Sequence, residues 1–374
     1  MAKKIKIKTK KPQGLKAFDI ALQHYQSGNL KQAEMVCRQI LDRQPEHSDT
    51  WHLLGVIAHQ LGRHEAAIQF IKKAVHINSD VTSYYNDLGL AYAFKGDMED
   101  AITFFKKALD VKENAASYMN LGNAYAENGM FDKAIESYKC ALEFEHDNPD
   151  IFYNLGERYL TEGVFHKAID CYRKATELRT DFFEAFCGLG NALWATGEIV
   201  EARKSYEMAV ALRKDDVLAH TNIAHLHLIL KDFKKGWEEN EWRLKNIQAP
   251  PLTKPKWDGT SPKGKTILVY AEQGYGDTLQ FVRYLPLLYK SGADKVLFKL
   301  NNKGLEQLLR ESDLKAEILD AGTPVESLEY DTNIHLLSLP RIFKTNLENI
   351  PFRQKRYLEA NPEKVEWYRS KFFT

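Results

Sequence analysis

The chain has 374 residues, 44% apolar and 28% charged, long enough for two or three domains with ordinary buried cores. A net charge of +1 excludes the overall pull toward nucleic acid or membrane surfaces that a strongly basic chain has. No segment approaches the ~18 uncharged apolar residues of a membrane span, and Cys37, Cys140, Cys171 and Cys187 lie far apart without CxxC spacing.

The chain opens with a basic tail, residues 1–13, that carries Lys3, Lys4, Lys6, Lys8, Lys10 and Lys11 and lacks the apolar run of a secretory signal. Its composition predicts a solvated, disordered end. The missing signal and the unpaired cysteines point to a cytoplasmic protein with reduced, packed thiols. The twelve histidines form no cluster with metal-ligand spacing, and neither a metal nor a cofactor is expected.

From Gly14 the residues fall into rows of 34, with one row, at Ala115, beginning after 33. Column eight reads Ala21, Gly55, Gly89, Gly122, Gly156, Gly190 and Ala224; column twenty reads Ala33, Ala67, Ala101, Ala134, Ala168, Ala202 and Gly236. Two columns that are small in every row are not accidental when Gly plus Ala make up roughly 15% of typical sequence. Small residues let two helices approach closely. Large ones fill the space between them: Leu54, Leu88, Leu121, Leu155 and Leu189 in column seven, and Ile71, Phe105, Tyr138, Tyr172 and Tyr206 in column twenty-four. Glycine turns such as Lys95-Gly96-Asp97 and Asn128-Gly129 separate the two helices of each row.

This pattern, over residues 14–247, resembles the tetratricopeptide repeat. The resemblance implies about seven stacked helical hairpins forming a superhelix that binds a client protein or peptide. The inner wall resembles the asparagine ladder of the O-linked N-acetylglucosamine transferases, whose amides grip a peptide backbone. Here its places are taken by Asp87, Asn120, Asn154 and Asn222 in column six, and by Asn123, Glu157 and Asn191 in column nine. An amide donates and accepts at once, which suits a peptide bond.

After the repeats, residues 248–262 read as a linker around Ala249-Pro250-Pro251, and residues 263–374 as a small α/β domain. Thr266–Ala271, Lys295–Leu300, Ala316–Leu319 and Asn333–Leu337 are predicted strands. A glycine turn at Gln273–Asp277, a helix over Thr278–Tyr289 and another over Gly304–Arg310 lie between them, so a parallel, doubly wound sheet is expected. Gly259 to Thr266 matches the phosphate-loop pattern GxxxxGK[ST], but a proline-rich segment precedes it and a strand follows. Without the helix the loop cannot cradle phosphate.

The succession Gly236-Trp237-Glu238-Glu239-Asn240-Glu241-Trp242-Arg243, Trp257-Asp258-Gly259, Glu272-Gln273-Gly274-Tyr275-Gly276-Asp277, Phe281 to Pro286 and Leu337-Ser338-Leu339-Pro340 resembles bacterial proteins whose repeats precede a heptosyltransferase-like (family nine) glycosyltransferase domain. The resemblance implies a Rossmann-like, acceptor-side half. Asp277 would then be the catalytic base, in a loop made by Gln273, Gly274 and Gly276, with Arg283 able to hold an anionic acceptor. An aspartate at that place also suits a helix N-cap, and Glu272 and His335 at strand ends are weaker candidates. The second, donor-binding half of that family is not found before Thr374. The expectation is therefore a peptide-binding scaffold whose transferase-like half is not catalytic by itself. The alternative is a glycosyltransferase whose nucleotide sugar binds only with a donor half supplied elsewhere.

Overall fold

The structure is a computed structural model that describes residues 17–247, 252–272, 274–301, 303–353, 355–360 and 362–372. The basic tail, the linker core Ala249-Pro250-Pro251 and Gln273 lie outside the described residues. The chain divides into two compact units, one through Ala192 and one from Leu193 onward.

Unit one holds five complete helix pairs: α1 (Ala17–Gln26) with α2 (Leu30–Arg43), α3 (Ser48–Gln60) with α4 (His64–Ile77), α5 (Thr82–Lys95) with α6 (Met98–Val111), α7 (Ala115–Glu127) with α8 (Phe131–Phe144), and α9 (Pro149–Thr161) with α10 (Phe165–Leu178). The next helix, α11 (Phe183–Ala195), straddles the division. Each pair turns at a glycine in the left-handed region, for example Gly96 at φ 93° and Gly129 at φ 74°, where a side chain would be strained.

In four of these five pairs the second helix lays a large side chain against a glycine of the first, where there is no Cβ: Ile71 on Gly55, Phe105 on Gly89, Tyr138 on Gly122 and Tyr172 on Gly156; this explains the small residue of column eight. A Cβ on Gly122 would lie 2.6 Å from the Tyr138 ring, and one on Gly156 2.9 Å from the Tyr172 ring. Behind these rings Ala33, Ala67, Ala101, Ala134 and Ala168 are fully buried, so the backbones meet with nothing between them. Side-chain caps sharpen the first helices: Asn114 accepts from Ser117 N at 2.9 Å, and Asn148 from Asp150 N at 2.9 Å, just ahead of Pro149.

Unit two continues with α12 (Ile199–Leu212), α13 (Val217–Ile229), α14 (Phe233–Glu239) and a 3₁₀ segment, Asn240–Asn246. In this last pair Lys231, at φ 64°, takes the turn position that glycine holds elsewhere. The α/β part has four strands: β1 (Thr266–Tyr270), β2 (Lys295–Lys299), β3 (Glu317–Leu319) and β4 (Thr332–His335). They are all parallel, in the order β3-β2-β1-β4, so the strand order reverses between β1 and β4. Between them run α15 (Tyr275–Phe281), α16 (Leu285–Lys290) and α17 (Glu306–Glu311), with α18 (Leu339–Ile342) and α19 (Pro362–Phe372) after β4. Trp257, Ile267, Leu285, Phe298 and Ile334 share the buried core of this sheet.

Three sequence expectations are corrected. The turn lies at Gly274, whose φ of 112° only glycine adopts readily, and α15 begins at Tyr275. Gly276 and Asp277 therefore sit inside the first helical turn, and Asp277 is not the N-cap. The helix read over Thr278–Tyr289 is broken by a 3₁₀ turn at Val282–Tyr284, because Pro286 lacks an N–H and its ring crowds the carbonyl four residues back. The strand read over Asn333–Leu337 starts at Thr332 and ends at His335, where Leu336–Ser338 coils into a 3₁₀ turn. In addition, the last residues of the expected linker line β4: Trp257 N donates to Asn333 O at 2.7 Å, and Asn333 N to Pro255 O at 3.1 Å. They cover what is otherwise an open sheet edge.

Gly122→Ala is expected to lower the free energy of unfolding by about 1–3 kcal/mol, because the new methyl overlaps Tyr138. Gly276→Ala, which meets nothing within 4 Å, is expected to be neutral or slightly stabilising. Denaturant titration of the two variants checks the contrast.

Candidate functional site

In the first helix of each repeat, columns two, six, nine and thirteen recur at helical spacing on the face turned away from the second helix. On α3, α5, α7, α9 and the unit-one part of α11 this face carries Asp49, Asp87, Glu127, Asp150, Glu157 and Glu184, and no lysine or arginine. Tyrosine and histidine side chains meet several of these carboxylates: the Tyr84 hydroxyl donates to Asp49, the Tyr172 hydroxyl to Glu157, and His52 Nε2 lies 2.6 Å from Asp87. Asp150 is the exception, being paired with Arg179 at 2.5 Å.

The structure places the predicted ladder residues on this face and also shows what else binds them. Asn123 Oδ1 accepts from the Tyr138 hydroxyl at 2.6 Å and from Asn154 Nδ2 at 3.3 Å, so two rungs from adjacent repeats touch. Asn120 is half-buried, and its amide makes no hydrogen bond among the described residues. Asn191 is exposed on α11; Asn222 is half-buried on α13, in unit two. A tyrosine in column twenty-four, seated against the glycine, brings its hydroxyl out beside column nine, where it needs an acceptor. In unit one Tyr138 and Tyr172 face Asn123 and Glu157, whereas Phe105 and Ile71 occur in the rows where column nine is Leu90 or Val56. Part of the amide pattern is therefore set by the core.

The second constellation lies in unit two, at the carboxyl ends of β1 and β4. Open parallel sheets offer ligands a crevice at such a reversal of strand order. Glu272, 4% exposed, follows β1 and receives Arg243 of the 3₁₀ segment in a two-pronged pair, Nε to Oε2 at 2.8 Å and Nη2 to Oε1 at 2.7 Å. Leu337 N, just beyond β4, donates to the same carboxylate at 3.3 Å. Arg243 also donates to Asn240 O at 2.7 Å and to Ser338 Oγ at 3.3 Å. Glu241 takes Lys256 at 2.9 Å and Arg243 at 3.3 Å. Burial works to raise the Glu241 carboxyl, but its hydrogen bonds and the cations outweigh this and lower it. His335, at the end of β4, lies 3.9 Å from Glu272 with its Nδ1 buried and unbonded; burial pulls its pKa below the ordinary 6.5, partly opposed by Glu272.

Asp277 is exposed on α15, where its charge acts on His225 of α13; burial lowers the His225 pKa and Asp277 partly raises it again. Gly274 and Gly276 are exposed beside it, and Gln273 lies outside the described residues. Arg283 is drawn elsewhere: its guanidinium donates to the Tyr357 hydroxyl at 2.8 Å and stacks 4.3 Å over that ring. The sequence reading did not assign Arg243 or Glu241 a role. The signal for both is the run Glu241-Trp242-Arg243, which closes the last repeat with charged and aromatic residues.

Among the described residues no helix is long and apolar enough to cross a membrane, and no three His, Cys, Asp or Glu gather where they could hold a metal ion. All four cysteines are free, and burial pushes the Cys37 thiol up to about 11 and Cys171 to about 12.

Comparison with known proteins places tetratricopeptide repeats in this chain. Tetratricopeptide-repeat profiles match residues 18–82 and 82–114, and a further TPR-repeat profile matches residues 122–163 and 156–197. The BBSome complex member BBS4 of Bos taurus is 26% identical over 124 residues, 33% of this chain and 24% of that protein. The UDP-N-acetylglucosamine–peptide N-acetylglucosaminyltransferase of Caenorhabditis elegans is 31% identical over 86 residues, 23% of this chain and 8% of that enzyme. The chain thus spans a quarter or less of these relatives. The C-terminal part of a TPR repeat-containing protein from Cytophaga hutchinsonii, 19% identical, superposes on 60% of this chain and 94% of its own with a TM-score of 0.52, a likeness of fold.

Glu272→Ala removes the two-pronged partner of the largely buried Arg243 and leaves it only Glu241 at 3.3 Å, and is expected to destabilise the protein by about 2–4 kcal/mol. Adding Arg243→Met to Glu272→Ala is expected to recover part of that loss, which a double-mutant cycle in denaturant measures. The pH dependence follows from the lowered histidines. His335 and His225 stay neutral when folded but bind protons when unfolded, so stability is present above the unfolded pKa and falls as pH drops below about 6.5. The slope is up to about 1.4 kcal/mol per pH unit for each histidine. His335→Gln is expected to flatten it in unfolding curves taken at several pH values.

Proposed function

We propose that the protein is an interaction scaffold whose repeat face holds an extended segment of a client protein, and that its Rossmann-like half is not a catalyst by itself. The observation that carries this reading is the row of amides and carboxylates on one face of the repeat helices, with Asn120 unbonded and Asn123 and Asn154 keeping N–H groups to offer. An extended peptide presents alternating N–H and C=O groups, which such amides satisfy without reading side chains. The carboxylates, held by tyrosine hydroxyls and an imidazole and not by lysines, favour a client segment with basic side chains.

The non-catalytic reading of the α/β half is supported by its crevice. The place where such a sheet would receive a ligand is filled by the Arg243–Glu272 pair, drawn from the chain itself. Asp277 is exposed, and Arg283 is engaged with Tyr357 and makes no hydrogen bond to Asp277. The N-acetylglucosaminyltransferase likeness extends over only 8% of that enzyme, so its activity does not transfer.

Peptides selected from a displayed random library on the whole chain provide the test. Asn120→Ala combined with Asn154→Ala is expected to weaken the selected peptides roughly tenfold, as the loss of one or two hydrogen bonds implies, with an unchanged helical circular-dichroism spectrum. Unchanged affinity sinks the peptide reading. Calorimetric titration with nucleotide sugars tests the other half: micromolar binding by the chain alone would overturn the non-catalytic assignment.

A further inference from the structure

After α18 the chain turns back sharply. Lys344 N donates to Arg341 O at 3.1 Å and Thr345 N to Pro340 O at 2.8 Å. Lys344 sits at φ 50°, at the end of a helix, where glycine is the ordinary choice. The amide of Asn349 donates to Lys344 O at 3.2 Å, and Trp237 Nε1 of α14 donates to Thr345 O at 2.9 Å. These bonds hold α14 and the turn apart at a fixed spacing. Between them lies a cavity of about 570 Å³, within the size range of small-molecule sites.

Its lining has two characters. Phe233 and Trp237 of α14 form an apolar side, and Lys234, Arg341 and Lys344 bring three cations. Two carboxylates, Glu238 and Asp258, also reach it, but Asp258 is already engaged, accepting from Thr260 N at 2.9 Å. Arg341 is under-paired. Its Nε is buried without a hydrogen-bond partner, and the nearest carboxylate, Glu241 at 3.6 Å, is shared with Lys256 and Arg243. A guanidinium prefers two parallel bonds to one planar or tetrahedral oxyanion, and here one carboxylate is divided among three cations.

We propose that this cavity is a binding site for a small organic oxyanion, a phosphate or carboxylate head on an apolar body. The head sits on Arg341 and Lys344 and the body lies along Phe233 and Trp237. The site uses none of the residues assigned to peptide binding or to the crevice at Glu272, so it stands independently of the scaffold reading.

Calorimetric titration of the full chain tests it, with phenyl phosphate and benzoate as probes, and inorganic phosphate and benzylamine as comparators. Phenyl phosphate or benzoate is expected to bind, and Arg341→Gln to weaken that binding roughly tenfold or more, the usual loss for a charge-assisted hydrogen bond. Lys344→Gln, at an exposed position that leaves the fold in place, is expected to weaken it in the same direction. Lys290→Gln, outside the cavity, is expected to change nothing. Failure of both aromatic anions to bind at millimolar concentration overturns the proposal. So does benzylamine or bare phosphate binding equally well, or unchanged binding in both the Arg341 and Lys344 variants.

Discussion

The repeat architecture depends on a missing atom. Because column eight has no side chain beyond a methyl, a ring or branched chain from the second helix of the same repeat can lie directly on the backbone of the first. Tyr138 and Tyr172 are thereby fully buried along their rings, each removing apolar surface from water at the usual gain of about 25 cal/mol per Å². Their hydroxyls, carried outward by the length of the ring, emerge at the far side of the first helix and require partners there. Burial pushes the Tyr138 hydroxyl up to about 12, so it stays a donor. Asn123 and Glu157 answer that demand. A packing rule in the interior has thus placed polar groups on the face for which peptide binding is proposed.

The same groups link one repeat to the next. Asn154 of α9 reaches Asn123 of α7, and His52 of α3 reaches Asp87 of α5. A substitution on this face therefore acts on the spacing between repeats as well as on any bound segment. The helical spectrum alone would not reveal such a shift, whereas affinity and stability measured together would separate the two effects.

In unit two the chain treats its α/β half as something to be closed. Two opposite charges, one buried and the other largely so, are costly to bring out of water, and their attraction rarely yields more than that cost. The Arg243–Glu272 pair is better understood as specifying one arrangement of the 3₁₀ segment on the sheet than as a source of stability. Leu337 N and Ser338 Oγ join the same network, so the ends of β1 and β4 and the segment after α14 are fixed together. His335 beside it remains neutral for the same reason that the pair is costly: its surroundings are dry.

The sequence by itself determined everything that repeats or alternates. Glycine and alanine columns fixed the helix pairs, and the short apolar runs at Ile267-Leu268-Val269 and Val296-Leu297-Phe298 marked two parallel strands, because local periodicity is dictated by which face must be buried. Strand and helix ends near glycine and proline were less legible, as at Gly274 and Pro286, where one residue's allowed dihedrals shift a boundary by several positions. Only the tertiary structure decided the partners. It brought Arg243 onto Glu272 across 29 positions of chain, Arg283 onto Tyr357 across 74, and Trp237 onto Thr345 across 108. Pairing between side chains so far apart leaves no period in a sequence; it follows from how the sheet and the last helices meet, which depends on the summed packing of both.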